Sequence, residues 1–202
     1  MEKSLLITGL VPGYPNTRAS IEIAKTCYTS GADILELSAS FSEPIADGKT
    51  LQRAHAHALK NGFSKTDALK TYKHIKQKTS APLFLIEYAN IIYHNGIENY
   101  CKKLAAVGIN YLAIPDVPLE ESFAFANAAQ KNGIAYVFLI APTTPISRMK
   151  KIISVAQNYK QDTSKPANFL YLVSVTGVTG KRDVIDQSTI SFIKNARKLT
   201  TM

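Results

Sequence analysis

One carboxylate stands where a folded chain has little use for it. Residues 32–50 read ADILELSASFSEPIADGKT, and Glu36 lies within the apolar run Ile34, Leu35, Leu37, which reads as a buried strand. A second acid, Asp47, follows in the loop that leaves this strand. Desolvating a carboxylate is costly unless it is paired, so a buried strand does not take one up for stability alone. An acid facing inward near the strand's C-terminal end is a candidate for proton transfer. The plainer alternative is a Glu that pairs with a neighbouring Lys or accepts backbone N–H bonds.

The elements around this pair are regular. Strand-like runs at 4–9, 33–38, 82–88, 111–115, 135–141 and 168–176 alternate with helical patterns. Those patterns cover 17–30, 51–61 with 65–78, 97–107, 119–132, 145–159 and 188–199. All strands but the first are apolar runs with few charges, as expected when both faces of a sheet are covered. Gly31, Gly108 and Gly133 fall where helices should end, and Ser64 and Thr144 precede helices as N-cap candidates, with Pro145 in the first turn. Alternating β and α elements imply parallel strands with right-handed crossovers, either doubly wound or closed as a barrel. No G-x-G-x-x-G follows the first strand, which counts against a dinucleotide fold. The loops rich in chemistry follow strands two, three, four and six, and would ring one face of a barrel.

Composition narrows the class. The chain has 202 residues, 46% hydrophobic and 19% charged, which suits one domain with a sizeable core. Its formal net charge of +9 is spread along helical segments, as in Lys70, Lys73, Lys76, Lys78, Lys150, Lys151 and Lys160. With no aromatic-interleaved basic stripe, a solvated outer face is expected and no nucleic-acid partner. No apolar run has the length of a membrane span and the N-terminus lacks a signal-peptide pattern, so a cytoplasmic protein without membrane contact is expected. Cys27 and Cys101 match no metal or redox spacing and read as reduced thiols. His55, His57, His74 and His94 are scattered and read as solvent-facing, and no metal site is expected.

Taken together, the loop motifs resemble one family. ILEL with FSEPIADG, then YAN, PDVPLEES and YLVSVTGVTG, occur in the order and at the spacing of the tryptophan synthase α-subunit, from about Leu6 to the end. The resemblance implies an α/β fold of the TIM (β/α)₈ type, with about six of the eight units present in a single domain, 1–202. The family's N-terminal helix and its last two strands, which bind most of the substrate's phosphate, are absent from this sequence. The implied reaction is the reversible retro-aldol cleavage of indole-3-glycerol phosphate to indole and glyceraldehyde 3-phosphate. Breaking the bond at indole C3 requires a proton on that carbon, loss of a hydroxyl proton as the aldehyde forms, and an acceptor for the ring N–H.

By the same resemblance Glu36 is the proton-transferring acid and Asp47 the acid that holds the indole nitrogen. Tyr88 and Tyr171 line the substrate pocket, Thr179 orders Asp47 on loop closure, and Gly180 brings its backbone to the phosphate. Phe41, Ser42, Glu43, Pro44, Asn90 and Pro118 match regions presented to the β-subunit in an α2β2 heterotetramer. No cofactor is implied for this chain; pyridoxal phosphate belongs to that partner. The sequence departs from the family at Ser38-Ala39-Ser40, at Lys49, and at Glu87, an acid in an apolar position that either retunes Glu36 or points outward to no effect. Three functions stay open at this level: the lyase, a catalytically weak module that binds and activates the β-subunit, and a truncated inactive product.

Overall fold

The computed structural model describes residues 4–159, 169–173 and 187–200. In chain order the elements are β1 (Ile7–Leu10), α1 (Thr17–Thr29), β2 (Ile34–Ser38), α2 (Lys49–Lys60), α3 (Lys65–Lys78) and β3 (Leu83–Ile86). There follow α4 (Ala89–Asn95), α5 (Ile97–Ala106), β4 (Ile109–Ala113), a 3₁₀ turn (Leu119–Glu121), α6 (Phe123–Lys131), β5 (Ala135–Tyr136) and β6 (Leu139–Ile140). The last are α7 (Ile146–Asn158), β7 (Tyr171–Leu172) and α8 (Gln187–Leu199).

Strand order decides between the two architectures. β1 to β5 form one parallel sheet whose spatial order equals the chain order, and β6 pairs in parallel with β7. A doubly wound sheet reverses direction at a switch point between strands. This one never does, so it curls as the wall of a barrel. The strand expected at 135–141 is two short segments: β5 hydrogen-bonds to β4, and two residues later β6 hydrogen-bonds to β7. The path therefore hands over from one neighbour to the next, with Val137 N–H donating to Leu112 O and Tyr171 N–H to Phe138 O.

Alternation along each strand divides the core into two layers. Leu35, Leu37, Leu83, Leu85 and Leu112 face outward and meet Ala24, Ala58, Tyr72, Ile75, Leu104 and Phe125 on the helices. Ile34, Phe84, Tyr111, Ala113, Ala135 and Val137 face the lumen, where Ile86, Phe169 and Tyr171 pack against them. Phe169 stands edge-on to Phe84 at 5.4 Å between ring centres and lies 5.2 Å from Tyr111, so this lumen is packed rather than open. Each fully buried leucine contributes roughly 1.5–3 kcal/mol of transfer free energy, which makes the outer layer the main source of stability.

Local signals match in part. Gly31, Gly108 and Gly133 adopt positive φ just before β2, β4 and β5. Ser64 caps α3 in a reciprocal box with Asp67. Thr144 is not the cap of α7: Pro145 holds that position, and the Thr144 hydroxyl instead accepts from Ala141 N–H at 3.1 Å. The helix expected over 119–132 is broken by a 3₁₀ turn ending at the buried Ser122. The short helix α4 is one that no helical pattern in the sequence marks. Among the described residues, no helix is long and apolar enough to cross a membrane. Lys70, Lys73, Lys78, Lys150 and Lys151 are exposed, as a solvated outer face requires.

Candidate active site

β2 delivers Glu36 to the lumen side, in register with Gly9 on β1 and Phe84 on β3. A Cβ on Gly9 would stand 3.2 Å from Glu36 Oε1, so the absence of a side chain there leaves room for the carboxyl. Burial, and secondarily the charge of Asp47, push the Glu36 carboxyl up to about 7. Tyr171, across the lumen on β7, has its hydroxyl pushed up to about 12, by burial and then by the charges of Glu36 and Asp47. Both acids thus lie close enough to act on the same tyrosine. A carboxyl that titrates near neutrality can both give and take a proton at physiological pH, which an ordinary glutamate does poorly.

Asp47 is built into the loop between β2 and α2. Its N–H donates to Pro44 O at 3.0 Å, and its carbonyl accepts from the Gln52 side-chain amide at 2.8 Å. Gly48 caps α2 without a side-chain bond, leaving the positive end of the helix next to the Asp47 carboxylate. Tyr88, two residues past β3 and the cap residue of α4, joins the two loops: its hydroxyl donates to Asp47 Oδ2 at 3.2 Å and accepts from Ala46 N–H at 3.0 Å. The residue expected to line the substrate pocket thus grips the second acid directly.

Two expectations are corrected here. His55 is not solvent-facing: it is 1% exposed, with Nε2 3.3 Å from Asp47 Oδ2. The spacing carried the signal, because Leu51, Ala54, His55 and Ala58 fall on one side of a helix and Ala54 and Ala58 are buried with it. His57, His74 and His94 are exposed. Glu87 neither neighbours Glu36 nor stands idle. It is fully buried in the layer between sheet and helices, accepting from the Tyr100 hydroxyl at 2.7 Å and lying 3.6 Å from Lys65 Nζ. The first effect on Glu36 is burial and the second is Asp47, with Glu87 taking no part.

The remaining motif residues fall into place around the mouth. Asp116 of the PDVP motif accepts from Ala89 N–H at 3.0 Å and so caps α4, whose own cap residue Tyr88 is occupied with Asp47. This bond ties the YAN loop to the PDVP loop, a link that spacing alone did not reveal. Ser40 closes another gap by donating to Pro12 O at 3.2 Å, which joins the loops after β1 and β2. Lys49, the first residue of α2, is exposed. Thr179 and Gly180 lie outside the described residues.

Ser42, Glu43, Asn90 and Pro118 are exposed, while Phe41 and Pro44 are half-buried, Phe41 against the Tyr88 ring at 5.1 Å. Two surface grooves flank this loop. One of about 470 Å³ is lined by residues 41–45 with Gln52, Ala56 and Leu59; one of about 290 Å³ runs past Ser40, Phe41, Lys65, Asn90 and His94. Neither contains Glu36 or Asp47. They belong to the outer surface, where Ile45 is 71% exposed.

Fold and site together define a singly wound parallel (β/α) barrel with a paired-carboxylate centre at the C-terminal ends of its strands. The whole chain, residues 1–202, matches the family described as tryptophan synthase alpha chain. The tryptophan synthase alpha chain of Methanococcus vannielii is 36% identical over 198 residues, covering 98% of this chain and 72% of that one. That of Carboxydothermus hydrogenoformans is 37% identical over 197 residues, covering 98% and 70%. Among solved structures, the tryptophan synthase a2b2 complex of Pyrococcus furiosus superposes with a TM-score of 0.84 at 33% identity, covering 98% of this chain and 75% of its counterpart. Tryptophan synthase of Mycobacterium tuberculosis gives a TM-score of 0.86 at 26% identity, covering 99% and 72%. The chain belongs to the tryptophan synthase alpha chain family, lyases of tryptophan biosynthesis whose fold is the TIM barrel.

Proposed function

We propose that this chain cleaves indole-3-glycerol phosphate to indole and glyceraldehyde 3-phosphate, with Glu36 and Asp47 as its catalytic residues. The bond broken joins indole C3 to the adjacent carbon of the glycerol chain. Glu36, protonated, gives its proton to C3, and the ring nitrogen becomes positively charged. Asp47 accepts the N–H of that ring and stabilises the charge. The hydroxyl on the adjacent carbon then loses its proton to the Glu36 carboxylate, its oxygen becomes the aldehyde, and the bonding pair returns to the ring. Protons and electrons balance with no oxidant and no metal, so the chemistry calls for no cofactor in this chain.

The observation that carries this reading is the place of Glu36 on the lumen face of β2, between Gly9 and Phe84, where burial and Asp47 raise it to about 7. Tyr171 fits the role of a wall against the substrate and the acid; Thr179 and Gly180 retain the loop and phosphate roles that the family motif gives them. We take the partner to be a tryptophan synthase β-subunit, which would carry the pyridoxal phosphate. Its docking face would be the outer grooves bordered by Phe41, Ser42, Glu43, Pro44, Asn90 and Pro118.

The test is indole release from indole-3-glycerol phosphate, with and without the β-subunit, by the unaltered chain, Glu36→Gln and Asp47→Asn. Loss of a positioned proton donor should cost about 10²–10⁴-fold in turnover, while circular dichroism stays unchanged. Full turnover in either variant removes the catalytic assignment. A chain that releases no indole yet raises the β-subunit's rate would be an activating module instead.

A further inference from the structure

His55 is a buried titratable side chain that the chemistry above leaves unused. It sits on the inner face of α2 beside Ala54 and Ala58, where an aliphatic side chain would pack at least as well. An imidazole brings two polar nitrogens that must be stripped of water, so its presence needs a polar reason. Neither ring nitrogen has an aligned hydrogen-bond partner among the described residues, and the acceptor at ion-pair distance is Asp47 Oδ2, 3.3 Å from Nε2. Tyr88 donates to the same oxygen at 3.2 Å. Two side chains from different parts of the fold, helix α2 and the cap of α4, therefore bear on one oxygen of one carboxylate. That arrangement steers the carboxylate through Oδ2 and makes Oδ1 the candidate acceptor for a substrate.

We propose that His55 is a positioning residue for Asp47, the close approach of its Nε2 and the hydrogen bond from the Tyr88 hydroxyl together holding the carboxylate that receives the ring N–H. The catalytic consequence rests on the lyase reading; the contact itself does not. Protonation at C3 makes the ring nitrogen positive only on the way to the transition state. A well-aimed Asp47 is then worth more in the transition state than with substrate merely bound. Losing the aim should lower kcat and leave KM nearly unchanged.

The variants are His55→Leu, which fills the space without a donor, and His55→Gln, whose side-chain amide nitrogen reaches close to the position of Nε2. In the chain assembled with its β-subunit, His55→Leu should lower kcat by about 10–100-fold, the scale of a misplaced catalytic group. His55→Gln should recover most of it, and His55→Leu should add nothing in an Asp47→Asn background. Wild-type kcat in His55→Leu, no rescue by Gln, or the same fold loss in the Asp47→Asn background would each overturn the proposal. A second readout is independent of turnover: in ¹⁵N-histidine-labelled protein, the His55 ring signals, identified by their loss in His55→Gln, should move in Asp47→Asn more than those of His57, His74 and His94. If the unaltered chain releases no indole, the lyase reading fails, and this measurement alone decides the positioning role. Shifted signals sustain it and unmoved signals overturn it.

Discussion

Glu36 and Glu87 are both acids on the apolar framework, one on β2 and one just past β3, and burial raises both. They differ in what surrounds them. Glu87 faces the helix layer, where the Tyr100 hydroxyl donates to it and the Lys65 ammonium lies within ion-pair distance. Both partners favour the charged form and oppose the burial, while Lys65 is itself lowered by its own burial. Glu36 faces the lumen, where the charge of another acid, Asp47, adds to the elevation. A buried acid given donors is part of the fold, and a buried acid given a like charge is held ready to exchange a proton. Glu87 is the more deeply buried of the two, yet the face of the sheet decides what each acid meets.

The contrast can be broken most sharply by making the same change twice. Glu36→Gln should abolish indole release by about 10²–10⁴-fold with no loss of thermal stability, whereas Glu87→Gln should keep turnover per folded molecule. Equal activity loss in both, measured with active-site concentrations normalised by circular dichroism, would erase the distinction. Next in size is Glu87→Ala, which strands the Tyr100 hydroxyl and Lys65; removing one partner of a buried polar contact costs about 1–3 kcal/mol in chemical denaturation. Tyr100→Phe deletes one donor and should cost about 1–2 kcal/mol, with turnover unaffected.

A pH series sharpens the same point at Glu36. Its folded-state carboxyl titrates at about 7 against an ordinary value of 4.5, so the folded chain binds more protons between those limits. The contribution is fully present below about 4.5 and is lost as pH rises through about 7. The stability of Glu36→Gln relative to the unaltered chain should therefore climb between those two pH values and level off above, with Glu87 common to both and cancelling. A flat difference would return Glu36 to an ordinary carboxyl. The smallest expected effect is at Ser64→Ala: it removes the cap that starts α3 next to Lys65, at about 1 kcal/mol in urea denaturation.

Most strands were legible as continuous apolar runs, three of them entered through a glycine at 31, 108 or 133, and strand order then chose the barrel over the doubly wound sheet. Glu36 was legible for the opposite reason, as a charge in such a run. The split of the 135–141 strand was not, since YVFLI is equally apolar along its length and the change of partner depends on strands distant in sequence. α4 escaped because seven residues, ANIIYHN, hold less than two full repeats of a helical pattern, and its cap comes from Asp116 in the next loop. His55 was readable from its spacing with Ala54 and Ala58, but its partner Asp47 lies outside the helix and no periodicity points there. Glu87 could be seen as an anomaly, yet only tertiary packing brings Tyr100 to it.

In the wall from β1 to β5, neighbouring strands are also consecutive in the chain. Such a wall can be laid down in the order of synthesis: each strand leaving the ribosome meets an edge already waiting, across a crossover of a few dozen residues. Growth from one end also means that β1 and the latest strand are the open edges at every stage, so a pause during translation exposes those two and no interior strand.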